Sequence, residues 1–126
     1  MSGAEYKVLW VDDEELTLNL CYDVFTRETT DFDLETVKDP TMARELYESG
    51  EYDIVVSDMN MPKMEGYELK DELRGIDEDL PIIFHTSEVP SDIPVDLQSS
   101  YRLEYTRKGG YEGIETVVEA CEQFIE

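Results

Sequence analysis

The regular exchange of short apolar runs with longer amphipathic stretches is what most constrains how this chain can fold. Lys7–Val11 (KVLWV), Ile54–Ser57 (IVVS) and Ile82–Thr86 (IIFHT) are nearly continuous apolar runs rather than alternating ones. Strands of that kind are covered on both faces, as in parallel sheets. Between them lie helical periods. Glu15 to about Glu28 places Leu16, Leu20 and Val24 at i, i+4, i+8, an apolar stripe expected to face inward. Asp39-Pro40 reads as an acidic N-cap followed by proline at the first helical position. The helix it opens is expected to turn Met42, Ala43, Leu46 and Tyr47 inward and to stop at Gly50. Gly66 to Arg74 carries Leu69 and Leu73 on one face, with Gly75 read as its terminator. The last helix, from about Tyr111, has Ile114, Val117, Val118, Cys121, Phe124 and Ile125 in the clearest period of all. Phe32–Val37 alternates apolar and polar residues, as an edge strand does, and Leu103–Arg107 is a weaker fifth strand. Strict β/α alternation implies a parallel sheet clothed by helices on both faces, and right-handed crossovers make a doubly wound α/β fold the expectation. The irregular stretch is Glu88–Ser100, where Pro90 and Pro94 restrict any helix to a short one or one beginning after Pro94, capped by Asp92 or Asp96.

A chain of 126 residues is expected to form one domain over its whole length, long enough to bury its own core without staples. Cys21 and Cys121 lie far apart on apolar stripes with no CxxC spacing, which reads as buried free thiols rather than a disulfide or metal site. There is no membrane-length apolar run and no signal-peptide core, so a cytoplasmic location is expected. Charge is the outlying feature: 32 acidic residues against ten Lys and Arg give −22. That field repels nucleic acid and anionic membranes, and no basic stripe offsets it. It reads as a solvated acidic surface, or more sharply as adaptation to a salt-rich cytosol, where screening relieves self-repulsion.

Open α/β sheets gather ligands beyond the carboxyl ends of their strands. After the first strand of this chain come Asp12, Asp13 and Glu14, and after the third comes Asp58. The fourth ends in Thr86-Ser87 and the fifth runs into Arg107-Lys108. Acids before a helix can be caps alone, but carboxylates, a hydroxyl and a lysine on one rim form a chemical set. Crowded carboxylates repel one another unless a cation joins them. Hard oxygen ligands suit Mg²⁺, with Mn²⁺ the other candidate. An aspartate beside such an ion can attack phosphorus and form an acyl phosphate. A lysine and a hydroxyl can hold the phosphoryl oxygens, the electrostatic positioning on which phosphoryl transfer mainly depends.

The segments VLWVDDE, DIVVSDMNMPKMEGYEL, IIFHTS and EYTRKG closely resemble the receiver domains of two-component response regulators, and together they cover nearly the whole chain. The resemblance implies a flavodoxin-like three-layer sandwich with a parallel sheet of order 2-1-3-4-5. It implies Asp58 as phosphoacceptor, with Asp13, Asp58 and the main-chain carbonyl of Asn60 on the metal and Asp12 acting mostly through water. It implies that Thr86 contacts the phosphoryl group, that Ser87 leaves access to it, and that Tyr105 is the aromatic that swings inward in the switch. Asn60 and Glu88 match the positions that set the dephosphorylation rate, and polar groups there imply a short-lived phosphoryl state. The implied partners are a histidine kinase or histidine phosphotransfer protein and a downstream protein target, met on a face built from the Glu88–Ser100 region, the fifth strand and the last helix. A monomer or a phosphorylation-dependent dimer is implied. Where the family usually has proline after the lysine, this chain has Gly109-Gly110.

His85, the only histidine, should face away from the phosphoryl contact by strand alternation and pack, and Trp10 should be core. Two other functions are weighed against the receiver. One is a degenerate receiver used for docking or dimerisation, disfavoured by the complete set of site residues. The other is a Mg²⁺-dependent aspartyl phosphatase, which would need a D-x-D after the first strand where this chain has Asp12-Asp13-Glu14.

Overall fold

Nine elements follow one another in a computed structural model that describes residues 4–87 and 101–125. They are β1 (Tyr6–Val11), α1 (Glu15–Glu28), β2 (Phe32–Val37), α2 (Pro40–Ser49), β3 (Ile54–Ser57), α3 (Gly66–Ile76), β4 (Ile82–Thr86), β5 (Leu103–Arg107) and α4 (Gly110–Phe124). All strand pairs are parallel, in the order β2-β1-β3-β4-β5, so β2 is an edge and the chain doubles back across β1 and β3. The doubly wound flavodoxin-like sandwich expected from the sequence is therefore the fold. The expectation of a helix within Glu88–Ser100 lies outside the described residues.

Side-chain alternation along the strands builds two cores. Val8 and Trp10 of β1, Ile54 and Val56 of β3 and Ile83 of β4 meet Leu18, Cys21, Val24 and Phe25 of α1 and Ile114, Val117 and Cys121 of α4. Leu9, Val11, Val55, Ile82 and Phe84 point the other way, onto Ala43 and Tyr47 of α2 and Leu69 and Leu73 of α3. This is the period-two geometry of a strand buried on both faces. Both cysteines are buried and unpaired, and Trp10 is fully buried.

Three local expectations are corrected. Leu16 is 80% exposed and Met42 50% exposed, although each opens an i, i+4 row that was expected to face inward. Such rows slant around the helix, because four residues turn about 40° past one full circle. Val24 is buried at one end of its row, Leu20 is half-buried in the middle, and Leu16 has rotated into solvent at the other end. The inward face of α1 instead carries Leu18, Cys21, Val24 and Phe25. Gly75 does not end α3, which continues to Ile76 with Asp77 as its C-cap. The Asp77 N–H closes that last turn by donating to the Leu73 carbonyl at 3.0 Å. Among the described residues no helix is long and apolar enough to cross a membrane.

Candidate phosphoryl-transfer site

Strand register sets the site. Val11 of β1 lies level with Ser57 of β3, so the residues that follow emerge side by side. Asp58 N–H donates to the Val11 carbonyl at 3.0 Å, and Asp12 N–H to that of Val37 at 3.1 Å, extending the ladder one step past the strand ends. Lys108 arrives from β5 in the same way, its N–H donating to the Thr86 carbonyl at 2.8 Å.

The side chains then converge. Asp12, Asp13 and Asp58 each offer a carboxylate oxygen within 4.8 Å of the others. Lys108 Nζ lies 2.9 Å from Asp58 Oδ2 and 3.5 Å from Asp12 Oδ2. The other Asp58 oxygen, Oδ1, accepts the Met59 N–H at 2.7 Å and the Asn60 N–H at 3.4 Å. The Ser57 hydroxyl donates to the Asp58 carbonyl at 2.8 Å, so backbone, hydroxyl and lysine together fix the orientation of this aspartate. Asp12 is fully buried and Asp58 7% exposed, whereas Asp13 faces solvent.

Burial is the main reason the Asp12 carboxyl is pushed up to about 6, with the charges of Asp58 and Asp13 adding to it against the Glu14 N–H and Lys108. Its Oδ1 accepts that Glu14 N–H at 2.9 Å, while Oδ2 is buried and makes no hydrogen bond, with only the Lys108 ammonium 3.5 Å away to offset its charge. A buried acceptor left in this state is costly, and the remedy its surroundings offer is a cation shared with Asp13 and Asp58. The donor set fits a small hard divalent ion: oxygens only, with one ligand facing solvent so that water can complete the shell. Lys108 is itself pulled down by burial, but the Asp58 hydrogen bond and the charges of Asp12, Asp58 and Glu14 outweigh that and leave its ammonium above the usual lysine range.

The remaining candidates lie around this centre. Thr86 is buried at the end of β4, while Ser87 and Asn60 are exposed at the same edge. Tyr105 is half-buried one strand-level below, stacked on Phe84 with centroids 5.5 Å apart. Glu88 lies outside the described residues. His85 packs as expected: it is 2% exposed, meets Trp10 edge-on at 5.2 Å, and has its Nδ1 3.4 Å from the Thr106 hydroxyl.

Several supporting residues went unnoticed in the sequence. A Cβ on Gly66 would stand 2.5 Å from the Asp58 carbonyl oxygen and 2.9 Å from the Phe84 ring, so only glycine lets α3 sit against the Asp58 backbone. A Cβ on Gly113 would meet the Arg107 carbonyl at 2.8 Å, so this glycine seats α4 beneath the Lys108 turn. Gly110 has φ +62, a left-handed conformation that accounts for one of the two glycines after Lys108. The signal for Gly113 was available, since it interrupts a helix-forming stretch where glycine is otherwise unfavourable, whereas Gly66 opens α3 and reads as no more than a helix start. Tyr67, whose hydroxyl lies 3.2 Å from that of Tyr105, gave no such signal.

Comparison with known proteins bears on the fold and the family. The response regulator TrrA of Thermotoga maritima, solved in complex with Mg²⁺-BeF, is 26% identical and superposes with a TM-score of 0.78 over 94% of this chain and 98% of that one. The Vibrio cholerae chemotaxis protein CheY4 is 23% identical, with a TM-score of 0.79 over 96% of this chain and 99% of its own, a likeness of fold. A protein-glutamate methylesterase/protein-glutamine glutaminase of Cupriavidus pinatubonensis is 29% identical over 87 residues, which is 69% of this chain and 24% of that protein. The chain thus spans about a quarter of the length of the curated relatives it matches. The model of the response regulator receiver domain matches residues 8–100, most of the chain, and the protein belongs to that family.

Proposed function

We propose that this domain accepts a phosphoryl group on Asp58 from a histidine kinase or histidine phosphotransfer protein, and returns to its resting state by hydrolysing its own acyl phosphate. The observation that carries the reading is the Lys108–Asp58 contact at 2.9 Å beside a buried Asp12 oxygen that makes no hydrogen bond: a nucleophile held by a cation at the edge of an acid cluster. An Asp58 oxygen attacks phosphorus while the donor's bond to phosphorus breaks and the leaving group departs with its electron pair. Water later attacks the same phosphorus, releasing inorganic phosphate and restoring the carboxylate. Asp13, Asp58 and the Asn60 carbonyl would hold a Mg²⁺, or less aptly Mn²⁺, with Asp12 acting through water. When bound, such an ion offsets the charge that builds on the phosphoryl oxygens.

Lys108 then exchanges a carboxylate oxygen for a phosphoryl oxygen, and the Thr86 hydroxyl donates to another, with Ser87 leaving the approach open. Asn60 and Glu88 place the attacking water and keep the phosphoryl lifetime short. Output passes through protein contacts with a downstream target as Thr86 and Tyr105 rearrange, in a cytoplasmic domain that is monomeric or dimerises on phosphorylation. The chemistry is the domain's own phosphorylation and dephosphorylation rather than turnover of a free substrate. A kinase donor is supported by a similar solved complex, histidine kinase ThkA with response regulator TrrA, which matches at 24% identity and a TM-score of 0.81.

The test is incubation with Mg²⁺ and acetyl phosphate or phosphoramidate followed by intact mass. One added phosphoryl group in the wild type and none in Asp58→Asn is expected. No gain in the wild type would favour a degenerate docking domain, and turnover of many phosphate esters would favour a phosphatase. A phosphoryl half-life of hours would remove the roles given to Asn60 and Glu88.

A further inference from the structure

Two phenols meet across the sheet edge. Tyr67 is the second residue of α3 and Tyr105 the third of β5, and their hydroxyls are 3.2 Å apart. Phe84 of β4 serves both rings: Tyr105 stacks on it at 5.5 Å and 30°, and Tyr67 meets it edge-on at 5.1 Å and 68°. Both tyrosines are half-buried. The turn that carries Tyr67 is seated on the acceptor loop itself. Gly66 N–H donates to the Met59 carbonyl at 2.8 Å, and the missing Gly66 side chain leaves α3 in contact with the Asp58 carbonyl and the Phe84 ring. A shift of the backbone at Asp58–Met59 therefore moves the first turn of α3, and with it the Tyr67 hydroxyl.

We propose that Tyr67 is a positioning residue that latches Tyr105 against Phe84 and ties its inward placement to the Asp58 backbone through the first turn of α3. This rests on the reading of Asp58 as acceptor and Tyr105 as switch aromatic. Ring packing alone would be served equally by phenylalanine at 67. The hydroxyl adds a directional contact that Tyr105 must break to swing out, and a neutral hydrogen bond of this kind shifts an equilibrium roughly three- to tenfold.

The test uses nitration by tetranitromethane, because trypsin isolates the tyrosines concerned: Leu103–Arg107 contains only Tyr105, Met64–Lys70 only Tyr67, and the peptide ending at Arg102 only Tyr101. Tyr101 is 63% exposed and serves as the internal standard. Tyr67→Phe keeps the ring on Phe84 and should leave the unfolding midpoint close to the wild type. In that variant nitration of Tyr105 should rise roughly three- to tenfold against Tyr101, and Tyr105→Phe should do the same for Tyr67. The concentration of beryllofluoride, a phosphoryl mimic, that half-saturates the domain with Mg²⁺ should rise by a similar factor in Tyr67→Phe. An unchanged Tyr105 nitration rate would overturn the latch, since packing would then suffice. Faster nitration with unchanged beryllofluoride binding would overturn the tie to Asp58. A wild type that takes up neither phosphoryl group nor beryllofluoride would refute the acceptor reading, while nitration would still decide the latch.

Discussion

Asp12 and His85 are both nearly sealed from water at the carboxyl edge of the sheet, and burial moves their proton affinities in opposite directions. The His85 imidazole is held down at about 4, first by burial and then by the charge of Lys108. Its ordinary value of about 6.5 applies when the chain unfolds, so the folded state binds the proton less well. The stability this supplies is complete above about pH 6.5 and is lost as pH falls toward 4, on the order of 3 kcal/mol in all. Asp12, raised to about 6, works the other way: its contribution is full below about pH 4 and fades as pH rises through 6. Denaturant midpoints across pH 4–7 should separate the two. His85→Gln should flatten the acid-side loss expected of the wild type and leave the opposing Asp12 slope exposed. Lys108 offers a second prediction at this scale. Lys108→Met removes the cation 2.9 Å from Asp58, so phosphorylation by acetyl phosphate should slow by roughly a hundredfold or more. Mg²⁺ should bind more tightly to the same variant, because three carboxylates then face one another without a neighbouring ammonium. Equal Mg²⁺ affinity by titration calorimetry would show that Lys108 exerts no charge effect on the cluster. That Asp12, Asp58, Thr86 and Lys108 come together was legible in the sequence because each closes or directly follows a strand, and strand ends are easy to place. Tyr67 was not, because a tyrosine one residue into a helix looks the same whether its hydroxyl meets water or another phenol.

Among the elements, the strands were the most legible: β2, β3, β4 and β5 coincide with the runs read from the sequence pattern. Each is a run of only four to six residues with two or three apolar side chains, which leaves little freedom in register. Helix faces were read less well, because an i, i+4 row drifts around the helix, and only the sheet beneath decides which end of the row is covered. Helix ends were least certain. Gly75 and Gly66 illustrate the physics, since glycine can mean a stop, a tolerated interior residue or a close approach. A Cβ at Gly75 meets nothing within 4 Å, and the residue is exposed and helical. Gly75→Ala should therefore stabilise the domain by roughly 0.5–1 kcal/mol through the unfolded chain's lost freedom. Gly66→Ala should do the reverse, because its Cβ would press backbone against backbone at 2.5 Å. A loss of about 1–3 kcal/mol is expected, together with impaired phosphorylation as the Asp58 carbonyl is displaced. Urea melts of both variants check the pair. Were Gly66→Ala as stable and as readily phosphorylated as wild type, α3 would not need to lie against the Asp58 backbone.

Across the whole molecule, two kinds of cation should act on stability by different physics. The chain carries −22, and its ion pairs are mostly surface contacts such as Lys38–Glu15 and Arg27–Asp23, which contribute little individually. Self-repulsion at this charge density is relieved by screening, and screening needs a Debye length comparable to the spacing of surface acids, about 3 Å in molar salt against roughly 10 Å at 0.1 M. Molar KCl should therefore raise the unfolding midpoint, and a gain of ~2 kcal/mol would correspond to roughly 6–10 °C for a chain of this size. Mg²⁺ should act at far lower concentration and by mass action at the acid cluster, its stabilisation growing as RT ln(1 + [Mg²⁺]/Kd). Asp13→Asn separates them. It removes one of the three cluster carboxylates, and so should abolish most of the millimolar Mg²⁺ effect. It leaves 31 of the 32 acids in place, so the KCl effect should persist almost unchanged. Thermal melts of wild type and Asp13→Asn over both titrations give the answer. A midpoint insensitive to KCl would end the reading of the acidity as suited to a salt-rich cytosol, and a Mg²⁺ response equal in both proteins would move the metal away from Asp13.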